Sequence, residues 1–208
     1  RGALVPLATR RAAAADGRAP PQLTALCHLA PAPLMLAGDC DGAITLWGAD
    51  HATPLGVCSC RPHLHEVDLL HADRIAPGAD ADAGVAPGPR DDVLRYVVVA
   101  AGIGDGRPVL RFLLQLSPPA TAGGPWAPSF ELLTKLELNG DALGMSWARG
   151  CTQGVVGTNA GNIFHVHWAA PGASAPTATP LVSAPPPPVL GLAVSGDGDE
   201  ARLFATAS

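Results

Sequence analysis

The sequence predicts an all-β fold made of repeated four-stranded antiparallel units, about three and a half of them. Three observations carry this expectation. The stretch Leu34–Trp47 reads as two apolar strands joined at a tight Asp41-Gly42 turn, with Ile44 and Leu46 on one sheet face and Thr45 and Trp47 on the other. The stretch Val156–Trp168 repeats that plan without a gap: Gly157 matches Gly38, Gly161 matches Gly42, Ile163 matches Ile44 and Val166 matches Trp47, and Trp168 lies two residues on, sharing the face of Val166. Nowhere does the chain show the 3.6-residue apolar period that an amphipathic helix requires.

In chain order, residues 1–22 are a low-complexity lead with no periodic element, or the outer strand of a preceding unit. The first unit, 23–64, opens with a strand over Leu23–Leu29, is broken at Pro31 and Pro33, carries the Asp41-Gly42 hairpin and closes with a strand over Leu55–Cys60. The second, 65–138, has a weak strand at Val67–His71 and then a Gly/Pro/Ala/Asp loop at 76–92 that is too polar and too rich in breakers to pack. A hairpin follows, Leu94–Ala101 and Val109–Leu116, with Asp105-Gly106 standing where Asp41-Gly42 stood. After a soft loop at 117–128 comes an outer strand that places Phe130, Leu132, Thr134, Leu136 and Leu138 on one face and Glu131, Lys135 and Glu137 on the other. The third unit, 142–188, opens with Leu143–Trp147, repeats the hairpin, and ends with a strand at Thr177–Ser183 and the stiff run Pro185–Pro188. Leu190–Val194 matches Leu143–Trp147 position for position and begins a truncated fourth unit, 189–208. Gly42, Gly106 and Gly161 are 64 and 55 residues apart, and the two soft loops account for the excess over a regular period.

Composition sets the outer limits. A chain of 208 residues with 48% hydrophobic content can bury a real core. A net charge of −5, with its few basic residues scattered, offers nothing to grip a phosphate backbone, so nucleic acid is not an expected ligand. The longest apolar run, Val97–Ile103, has seven residues, far short of the ~20 that a membrane helix needs. Five irregularly spaced cysteines make no disulfide framework and fit a reducing compartment.

Asp41-Gly42 followed by Ile44, Leu46 and Trp47, together with Leu203–Ser208, resembles the repeats of WD-repeat β-propeller proteins. The resemblance covers residues 23–208, with Asp41, Gly42, Trp47, Asp105, Gly106, Gly157, Gly161 and Trp168 as the blade signature. It implies a partial propeller, an excerpt of a larger one whose remaining blades belong to the same longer chain. Departures are visible: Gly48 stands where an Asp follows Trp, Ala160 replaces the turn Asp, and no Gly-His pair precedes an inner strand. The family's side-chain hydrogen-bond network is therefore expected to be incomplete. More narrowly, Gly154–Thr158, Ala160-Gly161, Ile163, Val166 and Trp168 resemble a hairpin of the WD-repeat-containing protein 90 family, tandem propeller proteins of the centriole and ciliary microtubule wall.

Each motif that suggests other chemistry fails on spacing. Val97–Gly106 runs a strand into a glycine-rich turn, but Arg107 takes the slot of the third glycine, and Pro108-Val109 starts a strand where a phosphate-binding helix is required. Cys58, Cys60, His63, His65 and His71 lie within fourteen residues as Cys-x-Cys and His-x-His, not as the Cys-x₂₋₄-Cys of structural zinc. His165 and His167 share a face without a carboxylate spaced to orient them. Asp39-Cys40-Asp41-Gly42 and Asp80-Ala81-Asp82 lack the rest of a calcium loop. Neither a Gly-x-Ser-x-Gly elbow nor a P-loop occurs.

The sequence thus leads to a non-enzymatic protein-interaction scaffold with no catalytic residue, cofactor or metal and with other proteins as partners. The narrower resemblance implies the cytoplasm and cytoskeleton, at a centriole or cilium, with tubulin or centriolar and axonemal proteins. The alternatives are a general WD-repeat adaptor of a ubiquitin-ligase, trafficking or signalling complex, or a propeller enzyme with an axial cluster such as His165 and His167.

Overall fold

The structure is a computed structural model and describes residues 21–48, 54–76, 93–118, 124, 126–168, 175–183, 189–195 and 202–207. The lead at 1–20, nearly all of the loop at 76–92, half of that at 117–128, Pro185–Pro188 and Gly196–Gly198 lie outside these residues. The described chain is all-β, without an α-helix, and folds as successive antiparallel meanders. The first sheet is β1 (Leu23–His28), β2 (Met35–Asp39), β3 (Ala43–Trp47) and β4 (Pro54–Ser59). The second is β5 (Leu69–Arg74), β6 (Leu94–Ala101), β7 (Pro108–Ser117) and β8 (Ala127–Glu137). The third is β9 (Ala142–Trp147), β10 (Gln153–Thr158), β11 (Asn162–His167) and β12 (Thr177–Ser183), and β13 (Val189–Ser195) pairs with β14 (Arg202–Ala207). Strands β1, β5, β9 and β13 pack side by side, which makes them the inner edges of radially arranged blades.

The middle sheet explains why the blades stack. On β6 and β7, Tyr96, Val98 and Ala100 lie opposite Leu114, Phe112 and Leu110 and face the first sheet. Val97, Val99 and Ala101 lie opposite Leu113, Arg111 and Val109 and face the third. All of these residues are buried. A strand that is apolar at every position has no face to offer water, so it needs a neighbour on each side. Each Val, Leu or Phe buried there contributes about 1.5–3 kcal/mol. Leu36, Ile44, Leu46 and Leu64 complete the core on the first side; Val156, Val166, Trp147 and Trp168 complete it on the other.

The structure corrects two expectations about the strands of the second unit. Residues 130–138 do not keep one face. The pairing slips between Arg111 and Phe112, which lie opposite Thr134 and Leu132, so Leu133 is an extra residue in β8. That bulge turns Phe130 toward the first sheet and Leu136 and Leu138 toward the third, and leaves Leu132 exposed. The strand expected at Val67–His71 is β5, displaced to Leu69–Arg74. Val67 instead donates its N–H to the Asp39 carbonyl (3.0 Å) and buries its side chain over Gly38, where only a glycine leaves room.

The other side of the first sheet is uncovered among the described residues. The cross-strand row Leu26, Ala37, Thr45, Val57 runs over that side, and Leu26 and Val57 are 60% and 63% exposed. The equivalent side of the third sheet, with Phe164, Val166 and Trp168, is packed against its predecessor. An apolar row of this kind promotes association. Leu26→Lys with Val57→Lys should lower self-association of the 208-residue chain in sedimentation velocity while changing stability by no more than about 0.5 kcal/mol. A chain that sediments as a monomer before substitution would show that this face does not drive association.

Candidate functional site

A chain of hydrogen bonds and ion pairs runs along the rim where the central hairpins turn. In the first sheet the turn is Cys40-Asp41-Gly42, three residues between β2 and β3, not the two-residue turn expected. Gly42 N–H donates to the Asp39 carbonyl (3.2 Å), and Gly42 alone has positive φ, at 74°. A three-residue hairpin needs one left-handed residue at its end, whereas a two-residue type I′ turn needs two. Asn159-Ala160-Gly161 has the same form in the third sheet: Gly161 has φ 78° and its N–H reaches the Thr158 carbonyl at 3.0 Å. Only the glycine is conformationally demanding, so Ala160 can stand at the position of Asp41. In the second sheet the turn is longer, six residues between Ala101 and Pro108, and both Gly106 (φ 76°) and Arg107 (φ 51°) are left-handed.

Asp39 is the residue that sequence reading undervalued. Its carboxylate is buried, and Oδ1 accepts the N–H groups of Asp41 (3.0 Å) and Ala43 (2.9 Å), while Asp41 itself is exposed. The available signal was position: an Asp at the last strand residue before a Gly-ended turn is placed to cap it. Thr158, its counterpart in the third sheet, is buried and donates its hydroxyl to the Asn139 carbonyl (3.2 Å).

Each turn is tied to the segment joining neighbouring sheets. Cys60 N–H donates to Gly42 O (2.8 Å), and Arg61 Nε donates to Asp41 O (2.8 Å). His65 N–H donates to Ile103 O (2.8 Å), and the His65 imidazole lies 3.4 Å from the Asp105 carboxylate. Arg107 lies 3.6 Å from Asp141, whose other carboxylate oxygen accepts from Asn159 (2.8 Å). The rim is therefore one continuous polar seam across three sheets. It carries more acid than base, and Asp68 within it is held above the usual carboxylate range, first by burial and then by Glu66 and Asp141.

A second polar feature lies inside, between the second and third sheets. Arg111 of β7 is 1% exposed, and its guanidinium sits 5.9 Å from the Trp168 ring centre, which in turn stacks on Trp147 at 5.8 Å and 18°. Asp73 of β5 accepts the Gly150 N–H. Burial lowers the affinity of Arg111 for its proton and raises the Cys151 thiol. The indole Nε1 atoms of Trp147 and Trp168 are buried without a hydrogen-bond partner, so these tryptophans act through stacking and packing. Trp47 is half-buried, on the uncovered side of the first sheet. A lone Arg in the apolar run Val109–Leu116 was the legible sign of Arg111.

The residues considered for other chemistry do not assemble. Among the described residues no group of three or more His, Cys, Asp or Glu side chains is placed to hold a metal ion. His165 and His167 lie on β11, third from the inner edge of its sheet, which corrects the axial placement an enzyme reading requires. Gly102–Gly106 closes the β6–β7 hairpin, with a strand where a phosphate site would need a helix.

Fold and rim together define a class: the sheets have the form of β-propeller blades, in a partial, unclosed propeller, and match those of a WD40-type structure. The structure of Saccharomyces cerevisiae Sqt1 is similar, with a TM-score of 0.52 and 12% identity over 84% of this chain and 39% of that one. The WD40 domain of SCAP from fission yeast has a TM-score of 0.48 and 11% identity, covering 76% and 31%. The computationally designed Ika4 protein has a TM-score of 0.46 and 16% identity, covering 89% and 91%. No protein-family model and no curated protein matches the sequence. The chain spans well under half the length of Sqt1 and of the SCAP domain.

The turn geometry makes a direct prediction. Gly42→Val forces a β-branched residue to positive φ and drives its Cβ into the Leu64 carbonyl oxygen, so it should lower stability in urea denaturation by about 2 kcal/mol or more. Ala160→Asp, at a position with no such demand, should stay within about 0.5 kcal/mol. Equal losses for the two would contradict the three-residue turn.

Proposed function

We propose that the chain is part of a non-enzymatic WD-repeat scaffold that presents the turn-bearing rim to another protein. The observation that carries this reading is the seam from Asp41 through His65, Asp105 and Arg107 to Asp141 and Asn159, held by backbone hydrogen bonds on stacked, buried sheets. A surface fixed in this way binds without first having to be ordered, which lowers the entropic cost of recognition. Function on a shared fold rests on its site, and this site offers shape and charge in place of reacting groups.

The assembly we infer is a microtubule-associated one in a centriole or cilium, within the cytoplasmic cytoskeleton. Support comes from the resemblance of Gly154–Trp168 to the WD-repeat-containing protein 90 family. The chain carries a net charge of −5, so attachment to acidic tubulin is not the adhesion of a basic patch. It proceeds through shape-matched rims, through a bridging protein, or through other parts of a longer chain.

The tagged full-length protein should localise to centrioles or axonemes in ciliated cells, and residues 1–208 alone should bind purified microtubules weakly or not at all. Cytosolic distribution together with recovery of a ubiquitin ligase or coat complex would replace this assembly with an adaptor role.

A further inference from the structure

The short connection between the second and third sheets, Leu138–Asp141, holds the chain's single Asn-Gly pair, Asn139-Gly140. The fold demands that glycine: Gly140 has φ 108°, and a Cβ there would meet Thr158 Oγ1 at 2.8 Å and Asn159 Oδ1 at 2.9 Å. From Asn139 the fold uses the main-chain carbonyl, which accepts from the Thr158 hydroxyl (3.2 Å) and from Asn162 Nδ2 (3.4 Å). The Asn139 side chain is not used. Asn139 is exposed, and its carboxamide makes no hydrogen bond among the described residues.

Connectivity places the carboxamide carbon of an asparagine one ring closure from the backbone nitrogen of the next residue, and a glycine nitrogen is the least hindered because no Cβ stands beside it. That nitrogen must lose its proton before it attacks, so an N–H held by an acceptor is protected. The turn glycines are held in this way, Gly42 by the Asp39 carbonyl (3.2 Å) and Gly161 by the Thr158 carbonyl (3.0 Å), whereas the Gly140 N–H has no acceptor among the described residues. The chain's other two asparagines differ on both counts. Asn159 donates from Nδ2 to Asp141 (2.8 Å) and accepts the Asp141 N–H at Oδ1 (3.0 Å), Asn162 donates to the Asn139 carbonyl, and the residues after them, Ala160 and Ile163, carry side chains that crowd the nitrogen.

We propose that Asn139-Gly140 is a site of self-catalysed deamidation that alters the rim between the second and third sheets. The Gly140 nitrogen, having given its proton to solvent base, attacks Cγ of Asn139. The new C–N bond closes a succinimide, the bond from Cγ to the side-chain nitrogen breaks, and that nitrogen takes up a proton and leaves as ammonia. Water then opens the ring. Cleavage between Cγ and the Gly140 nitrogen gives aspartate; cleavage between the α-carbonyl carbon and that nitrogen gives isoaspartate. Water is the only co-reactant, and no electrons are transferred. Either product puts a carboxylate beside Asp141, in a seam that already carries more acid than base. Isoaspartate also lengthens the main chain by one methylene and turns the oxygen that holds Thr158 and Asn162 into part of a free carboxylate, which unties the connection from the third-sheet hairpin. That this regulates recognition rests on the rim being the binding surface; the chemistry itself does not.

The test is to age the folded 208-residue chain in mildly alkaline buffer and to follow it by peptide mass mapping, with enzymatic methylation of isoaspartyl residues as the second readout. Asn139 should convert, with release of ammonia, while Asn159 and Asn162 stay amides. Asn139→Gln, which keeps the main-chain carbonyl and lengthens the side chain, should keep its circular dichroism and lose the conversion. In hydrogen exchange the aged wild type should open at the amides of Asn159 and Gly161, with Gly42 in the first sheet unchanged. An Asn139 that stays intact while the urea-unfolded chain converts, or a first conversion at Asn159 or Asn162, would overturn the site. Full conversion with no change in exchange at Asn159 and Gly161 would overturn its effect on the rim and leave the scaffold reading as it stands.

Discussion

A β-sheet that is apolar on both faces has no stable existence in water by itself, and the middle sheet of this protein is such a sheet. From Tyr96 to Ala101 every side chain of β6 is buried, alternately toward the first and the third sheet, and β7 repeats the pattern from Val109 to Leu114. Each Val, Leu and Phe of β6 and β7 brings about 1.5–3 kcal/mol only if the neighbour it faces is present, and the alternation makes the sheet as a whole depend on both. Stacking of blades is thus a condition of folding, and the rim inherits its rigidity from that condition.

Position along the blade matters more than residue identity at the turns. Asp39 and Thr158 occupy one place, as do Asp41 and Ala160, yet the hairpins have the same length and the same left-handed glycine. What differs is how each is fastened. Asp39 caps its own turn through its carboxylate, whereas Thr158 reaches across to the Asn139 carbonyl, and Asn159 and Asp141 exchange hydrogen bonds around it. A change of residue at the end of the strand therefore relocates hydrogen bonds without removing the turn.

The hairpins were legible in the sequence because both their strands and their glycines are local signals. β6 and β12 lie where alternation puts them, and Gly42, Gly106 and Gly161 all have positive φ. What the sequence hid is non-local. The bulge at Leu133 exists only relative to β7, and it sends Phe130 and Leu136 to opposite sides although their spacing is even. The partnership of Arg111 with Trp168 spans two sheets and has no spacing rule. Asp39 hid beside a more familiar Asp-Gly pair: its place at the end of the strand marks a cap, but the burial of its carboxylate has no local sign. The rim was legible as turns but not as a seam, since its links, such as Arg107 with Asp141, join different repeats.

The central claim, that the middle sheet is stable only between its neighbours, is tested most directly by native-state hydrogen exchange. The amides of β6 and β7 should be the most protected in the chain, and mild denaturant should release them in the same cooperative step as β2–β3 and β10–β11. Full protection of β5–β8 while the first or third sheet exchanged freely would make the middle sheet self-sufficient and contradict its dependence on stacking.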